Sequence, residues 1–162
     1  MARYLTRGAL IAALYVVLTV TPPLNLISFG PVQIRISEAL TVLPILTPIA
    51  IPSLFVGCLV ANIIGGLGPF DFVFGSLFTL IAAFGTYLLR KRTFLALLSP
   101  IIVNAFGVSL YLPLLVKPPK IFDVSPYWAT VLLIGVGEFI AVFLIGYPLL
   151  RVLRRIGREW SW

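Results

Sequence analysis

The sequence predicts an all-α integral membrane protein: one domain of six spanning helices, multi-pass in the cell membrane, with both termini cytoplasmic. Three observations carry this. The 162 residues are 60% hydrophobic and only 10% charged, against roughly 45–50% and about 25% in a soluble domain, and mean hydropathy is +1.13. Apolar runs on the order of 20 residues, the length that crosses a bilayer, recur along the chain. The excess positive charge, +7 net, is concentrated beside those runs: Arg3 and Arg7, then Arg90-Lys91-Arg92, then Arg151, Arg154, Arg155 and Arg158. Basic clusters at the ends of apolar runs follow the positive-inside rule, so the partner they imply is membrane lipid, not nucleic acid.

The spans fall at about 4–21, 34–48, 52–65, 70–89, 95–116 and 125–153. The first ends at Pro22-Pro23 and is long enough to span, so it reads as a helix rather than a cleaved signal peptide. A loop from Pro22 to Val32 leads to the second. That span is short, roughly 14 residues or about 20 Å of α-helix, and Pro44 and Pro48 interrupt it. Pro52 suits the first turn of the third, which the Gly65-Gly66-Leu67-Gly68-Pro69 turn ends. The Pro48–Pro52 link is so short that spans two and three can form one broken hairpin. The fourth stops at the Arg90 cluster, and Lys117-Pro118-Pro119-Lys120 separates the fifth from the sixth. Six crossings put all three basic clusters on one face; Lys117 and Lys120 run against the rule but do not outweigh them.

Composition also excludes chemistry. Cys58 is the only cysteine, so no disulfide forms within the chain, and histidine is absent. His-based metal sites and Ser-His-Asp triads are therefore ruled out, no GxxxxGK[ST] phosphate loop occurs, and neither a metal nor a cofactor is expected.

Ionisable residues within spans are costly and usually mark function. Here they are Arg35 and Glu38 at the start of the second span, Asp71 at the start of the fourth and Glu138 midway along the sixth. Asn62, Asn104 and Tyr111 add uncharged polar groups. Helical spacing puts Asn104, Gly107 and Tyr111 on one stripe, Asp71, Gly75, Phe78 and Thr79 on another, and Gly135 with Glu138 on a third. Several helices thus offer polar groups to one pocket opening to the outer face. Each has a plainer reading. Arg35 and Glu38, three apart, can pair with each other. Asp71 can be a helix-start acid, and Asn62 and Asn104 can join helices. Tyr111 and Trp128 can be interfacial aromatics. Glu138, with no basic residue within a turn, is hardest to explain without a ligand. In the first span Ala9 and Ala13 form a small-xxx-small pair, with Gly8 and Ala12 as a second beside it. Such strips admit a close helix, either within the chain or from a partner.

The runs "FGPVQIRISEALTVLPILTPIAIPSLFVGCLVANIIGG", "DFVFGSL" and "PIIVNAFGVSLYLPL" closely resemble the queuosine-precursor transporter family, and the likeness covers nearly the whole chain. The resemblance implies a six-helix substrate-binding subunit (S component) of an energy-coupling-factor transporter. Such a subunit captures a 7-deazaguanine such as preQ0, preQ1 or queuine outside. Its partners are a transmembrane coupling subunit, met at Ala9 and Ala13, and two cytoplasmic ATPases. The loop between the first two spans closes over the ligand. A 7-deazaguanine offers N–H donors at one edge, which a carboxylate accepts. Its O6 takes a donor from Asn, Gln or Arg, and its ring takes an aromatic face. On that basis Glu138 and Glu38 supply the carboxylates, and Asn104 and Gln33 read the edges. Arg35, Asn62 and Asp71 complete the polar set. Tyr111 and Phe78, or Phe74 and Phe139, offer rings. An aminomethyl-bearing base is a cation and favours a second acid; which acid reads the base stays open. The alternatives are an S component for a different vitamin-like molecule, a membrane-embedded lipid or isoprenoid enzyme, and a ligand-free assembly subunit. The enzyme class lacks its usual DxxD or HxxxH pattern.

Overall fold

A computed structural model describes residues 2–30, 33–117 and 124–159. Val32, the 118–123 stretch with Lys120, and the side chain of Arg158 lie outside the described residues. The chain is helical, with no strand among those residues. Helix α1 (Ala2–Val20) is followed by a short α2 (Leu24–Ser28) inside the expected loop, then by a 3-10 helix (Ile36–Ile45) and α3 (Ala50–Gly65). A π turn (Asp71–Gly75) opens α4 (Ser76–Leu88), and α5 (Thr93–Val108) precedes a one-turn α6 (Leu112–Leu115). Helix α7 (Pro126–Phe139) passes through a π segment (Ile140–Gly146) into α8 (Tyr147–Glu159). Three helices are long and apolar enough to cross a membrane: Ala2–Val20, Asp71–Leu88 and Pro126–Ile156. Ile36–Ile45, Ala50–Gly65 and Thr93–Val108 are shorter apolar helices. This is the composition of a membrane helical bundle.

The expected α-helix at 34–48 is instead 3-10 over ten residues. That is a long run for this geometry, and its rise of about 2.0 Å per residue gives it roughly the 20 Å that 14 α-helical residues would supply. Pro44 sits inside it and has no N–H to donate to an α-type bond. Every residue from Ser37 to Pro44 is buried, so this helix has no lipid-facing stripe and runs through the middle of the bundle. It packs against α1, α4 and the Ile140–Gly146 segment. The fifth span also differs: its helix ends at Val108 and Tyr111 lies in the turn that follows, so Tyr111 does not continue a helical stripe with Asn104.

Two apolar clusters flank the 3-10 helix. One joins Tyr15, Leu40, Leu43, Leu54 and Ala61; the other joins Val42, Leu97, Val142 and Leu150. Helix α1 lies directly on α3. A Cβ at Gly57 would come within 2.9 Å of Tyr15 Cβ and 3.0 Å of the Ala12 carbonyl oxygen, so only glycine permits this approach. The Gly8–Ala12 edge of α1 is thereby spent on an internal contact, while Ala9 and Ala13 face outward and are exposed.

Candidate ligand-binding site

Residues 33–35 approach the 3-10 helix in non-helical backbone. Gln33 has φ 43, and Arg35 is extended at φ −100, ψ 105. Arg35 caps the 3-10 helix, its carbonyl accepting the Glu38 N–H at 3.1 Å, but the two side chains part, and the expected pairing between them gives way to two separate sets of partners.

The first set surrounds Arg35. Its Nη1 donates to Asn62 Oδ1 at 3.0 Å and its Nε to the Ser28 carbonyl at 3.2 Å. The guanidinium lies 5.2 Å from the centre of the Phe29 ring, and Nη2 is 3.8 Å from Asp71 Oδ2. Asn62 Nδ2 donates to the Asp71 carbonyl oxygen at 3.1 Å, and Tyr111 donates its hydroxyl proton to Asp71 Oδ1 at 3.0 Å. A buried cation and anion are thus held together by α2, α3, the π turn and the turn after α5. Gly75 makes room for this. A Cβ there would sit 2.8 Å from Asn62 Nδ2 and 2.9 Å from Tyr111 Oη, displacing both. Asp71 is fully buried, so it is a partner of Arg35 rather than a solvated helix-start acid, and Asn62 links helices while orienting the cation.

The second set surrounds Glu38. Tyr15 on α1 donates its hydroxyl proton to Glu38 Oε1. Beside it, Thr19 and Ser37 join side chains at 2.7 Å. Asn104 Nδ2 lies 2.7 Å from Glu138 Oε1 and 3.4 Å from Glu38 Oε2, so one amide bridges two acids from different helices. Both acids, at 2% and 6% exposure, are buried where an unneutralised charge is costly.

Between the two sets lies a small cavity of about 10 Å³ lined by Gln33, Arg35, Glu38, Gly75, Thr79, Asn104, Val108, Ile134 and Glu138. That is far below the usual range for small-molecule sites. It holds about one water, so an aromatic ligand enters only if the walls part. Several buried polar atoms along this lining have no hydrogen-bond partner: Gln33 Nε2 and Arg35 Nη2 as donors, Asn104 Oδ1 and Glu138 Oε2 as acceptors. Such atoms are rare in a folded interior and call for an explanation; a ligand carrying both donors and acceptors supplies one.

Gln33, Arg35, Glu38, Asn104 and Glu138 thus meet at one cavity, with Asn62, Asp71 and Tyr111 behind Arg35. Phe78 does not line it; its ring packs with Val108, Tyr111, Leu112 and Ile134. Phe74 and Phe139 are largely exposed, so the cavity walls are aliphatic where the sequence suggested aromatics. Trp128 is exposed and meets Phe106 edge-on, as an interfacial aromatic would. Sequence reasoning missed Tyr15. The signal was present in the spacing 8, 12, 15, 19: the buried residues of α1 are Gly8, Tyr15 and Thr19, which mark one inward stripe.

Among the described residues no group of His, Cys, Asp and Glu could hold a metal ion. A family model described as the QueT transporter matches residues 5–155. The Queuosine precursor transporter QueT of Lactococcus lactis subsp. cremoris (strain MG1363) is 27% identical over 161 residues, covering 91% of this chain and 90% of that protein. No solved structure matches significantly.

Proposed function

The chain belongs to the QueT transporter family, a family of transporters and not of enzymes, and from that premise we propose that it is the substrate-binding subunit of an energy-coupling-factor importer. In this reading it captures a 7-deazaguanine queuosine precursor in the Gln33–Glu138 cavity. All six apolar segments cross the membrane, the shorter three held inside the bundle, with both termini and all three basic clusters on the cytoplasmic face. A transmembrane coupling subunit and two cytoplasmic ATPases drive uptake.

The observation that carries the ligand assignment is the set of unpaired buried atoms. Glu138 Oε2 and Asn104 Oδ1 are acceptors without donors, and Gln33 Nε2 and Arg35 Nη2 are donors without acceptors. A 7-deazaguanine presents the complement: N–H donors at N1 and N2 for the carboxylate, and O6 for the amide or guanidinium. Such bonds to a charged group are among the stronger ones in proteins. Arg35 already has Asp71 as counter-charge, so Glu38 and Glu138 are left for a cation, and an aminomethyl-bearing base supplies one. The Lactococcus relative, a queuosine precursor transporter by name, supports this substrate class. Ala9 and Ala13, exposed on α1, leave a small-residue strip for the coupling subunit.

Isothermal titration of the purified chain in detergent tests the assignment. Binding is expected for a 7-deazaguanine without any other protein, tighter for the aminomethyl base than for its nitrile counterpart. Heat with an unrelated vitamin and none with any deazaguanine would transfer the site to another ligand. The Ala13→Leu variant should bind as the native chain does but lose ATP-driven uptake in the assembled transporter, because added bulk blocks close helix packing. Equal loss of both activities would remove the docking role.

A further inference from the structure

Helix α1 touches lipid or a partner on one side and the polar interior on the other. Its outward strip holds Ala9 and Ala13. Its inward stripe makes two side-chain contacts with the start of the 3-10 helix: Thr19 with Ser37 at 2.7 Å, and the Tyr15 hydroxyl with Glu38. Glu38 then faces the cavity through Oε2, which shares the Asn104 amide with Glu138. An unbroken path of hydrogen bonds therefore runs from α1 through Glu38 and Asn104 to Glu138.

We propose that Tyr15 is a positioning residue for the ligand: by fixing one oxygen of Glu38 it presents the other to the cavity, and so ties α1 to the occupied site. The inference rests on the ligand reading given above. Tyr15 is fully buried and does not line the cavity, whereas Glu38, the acceptor of its hydroxyl proton, does, so it acts on the ligand through Glu38. Without its hydroxyl, the Glu38 carboxylate is free to turn toward Asn104 and close the space the ligand needs. Any ligand that draws on Glu38 must then shift the Tyr15 contact, and α1 senses whether the site is filled.

The test uses the full chain in detergent. Tyr15→Phe should weaken binding of the aminomethyl 7-deazaguanine about tenfold, the worth of one hydrogen bond to a charged group. In a Glu38→Gln background it should weaken binding no further, even where each change lowers the melting temperature independently. Fluorotyrosine placed at position 15 alone should report base addition through a moved fluorine resonance. Native affinity in Tyr15→Phe, or losses that multiply in the double variant, would overturn the role. If the native chain binds no deazaguanine at all, the fluorine signal still decides. A resonance unmoved by Glu38→Gln removes the Tyr15 tie. One that moves upholds it and leaves only the choice of ligand at fault.

Discussion

The two polar groups in this bundle differ in how they balance charge. Around Arg35, charges of opposite sign lie 3.8 Å apart and the neighbouring Asn62, Tyr111 and Ser28 supply further bonds. Around Asn104, two carboxyl groups of the same sign share one amide, and Glu138 Oε2 has no partner. Both groups keep unpaired atoms, Arg35 Nη2 and Asp71 Oδ2 in the first and Asn104 Oδ1 and Glu138 Oε2 in the second, but the first balances its charge internally and the second leaves that balance to something that arrives. This separates support from recognition more sharply than burial does, since every one of these residues is buried. A charged group that is buried and paired is costly to unpair, whereas one that is buried and unpaired is available.

The comparison breaks first at Asp71. Asp71→Leu should strip Arg35 of its counter-charge and lower stability by about 3–5 kcal/mol, the usual cost of removing one member of a buried pair. A large drop in melting temperature in detergent, with or without ligand, is the expected result. An unchanged melting temperature would mean that Arg35 is neutralised by another route. Glu138→Gln should behave oppositely. It removes a charge that has no counter-ion, so the ligand-free melting temperature should hold or rise. Binding should weaken about 10–100-fold, the loss of a charge-assisted bond worth roughly 1.5–3 kcal/mol, as titration would measure. If Glu138→Gln lowers stability as much as Asp71→Leu does, the two groups are alike and both are structural.

How far the sequence reveals this contrast depends on which physical signal each residue carries. Apolar runs in the sequence coincide with apolar helices, three of them long enough to cross a bilayer and three shorter. Run length is silent on geometry. The Ile36–Ile45 run is buried on every side from Ser37 to Pro44, so no inward and outward period distinguishes a 3-10 helix from an α-helix there, and the π turns at Asp71–Gly75 and Ile140–Gly146 leave no compositional mark. Rare polar residues in apolar runs identify Gln33, Arg35, Glu38, Asn104 and Glu138 as a group, since their cost is itself the signal. Their pairing is not legible. Spacing of three suggests an Arg35–Glu38 contact only if both lie on a helix, and Arg35 is extended. Its true partner, Asp71, is 36 positions away along the chain and is brought near by tertiary packing. Tyr15 passes for a lipid-facing aromatic until the Gly8–Ala12–Tyr15–Thr19 stripe is recognised as the inward one.

The smallest effect is expected at Tyr111, where it separates a strut from a contact. Its hydroxyl donates to Asp71 Oδ1 at 3.0 Å, while its ring packs with Val108, Leu112 and Ile134. Tyr111→Phe keeps the ring and removes the bond. Side-chain hydrogen bonds between membrane helices average about 0.6 kcal/mol, and Asp71 retains Arg35, so the melting temperature should fall only slightly. Tyr111 does not line the cavity, and ligand affinity should stay within about twofold, less than the roughly 1.4 kcal/mol that a tenfold change requires. A larger loss of affinity with stability intact would place the Tyr111 hydroxyl in contact with the ligand. It would also mean that Asp71 and Tyr111 belong to recognition, and that the Arg35 group opens when the site fills.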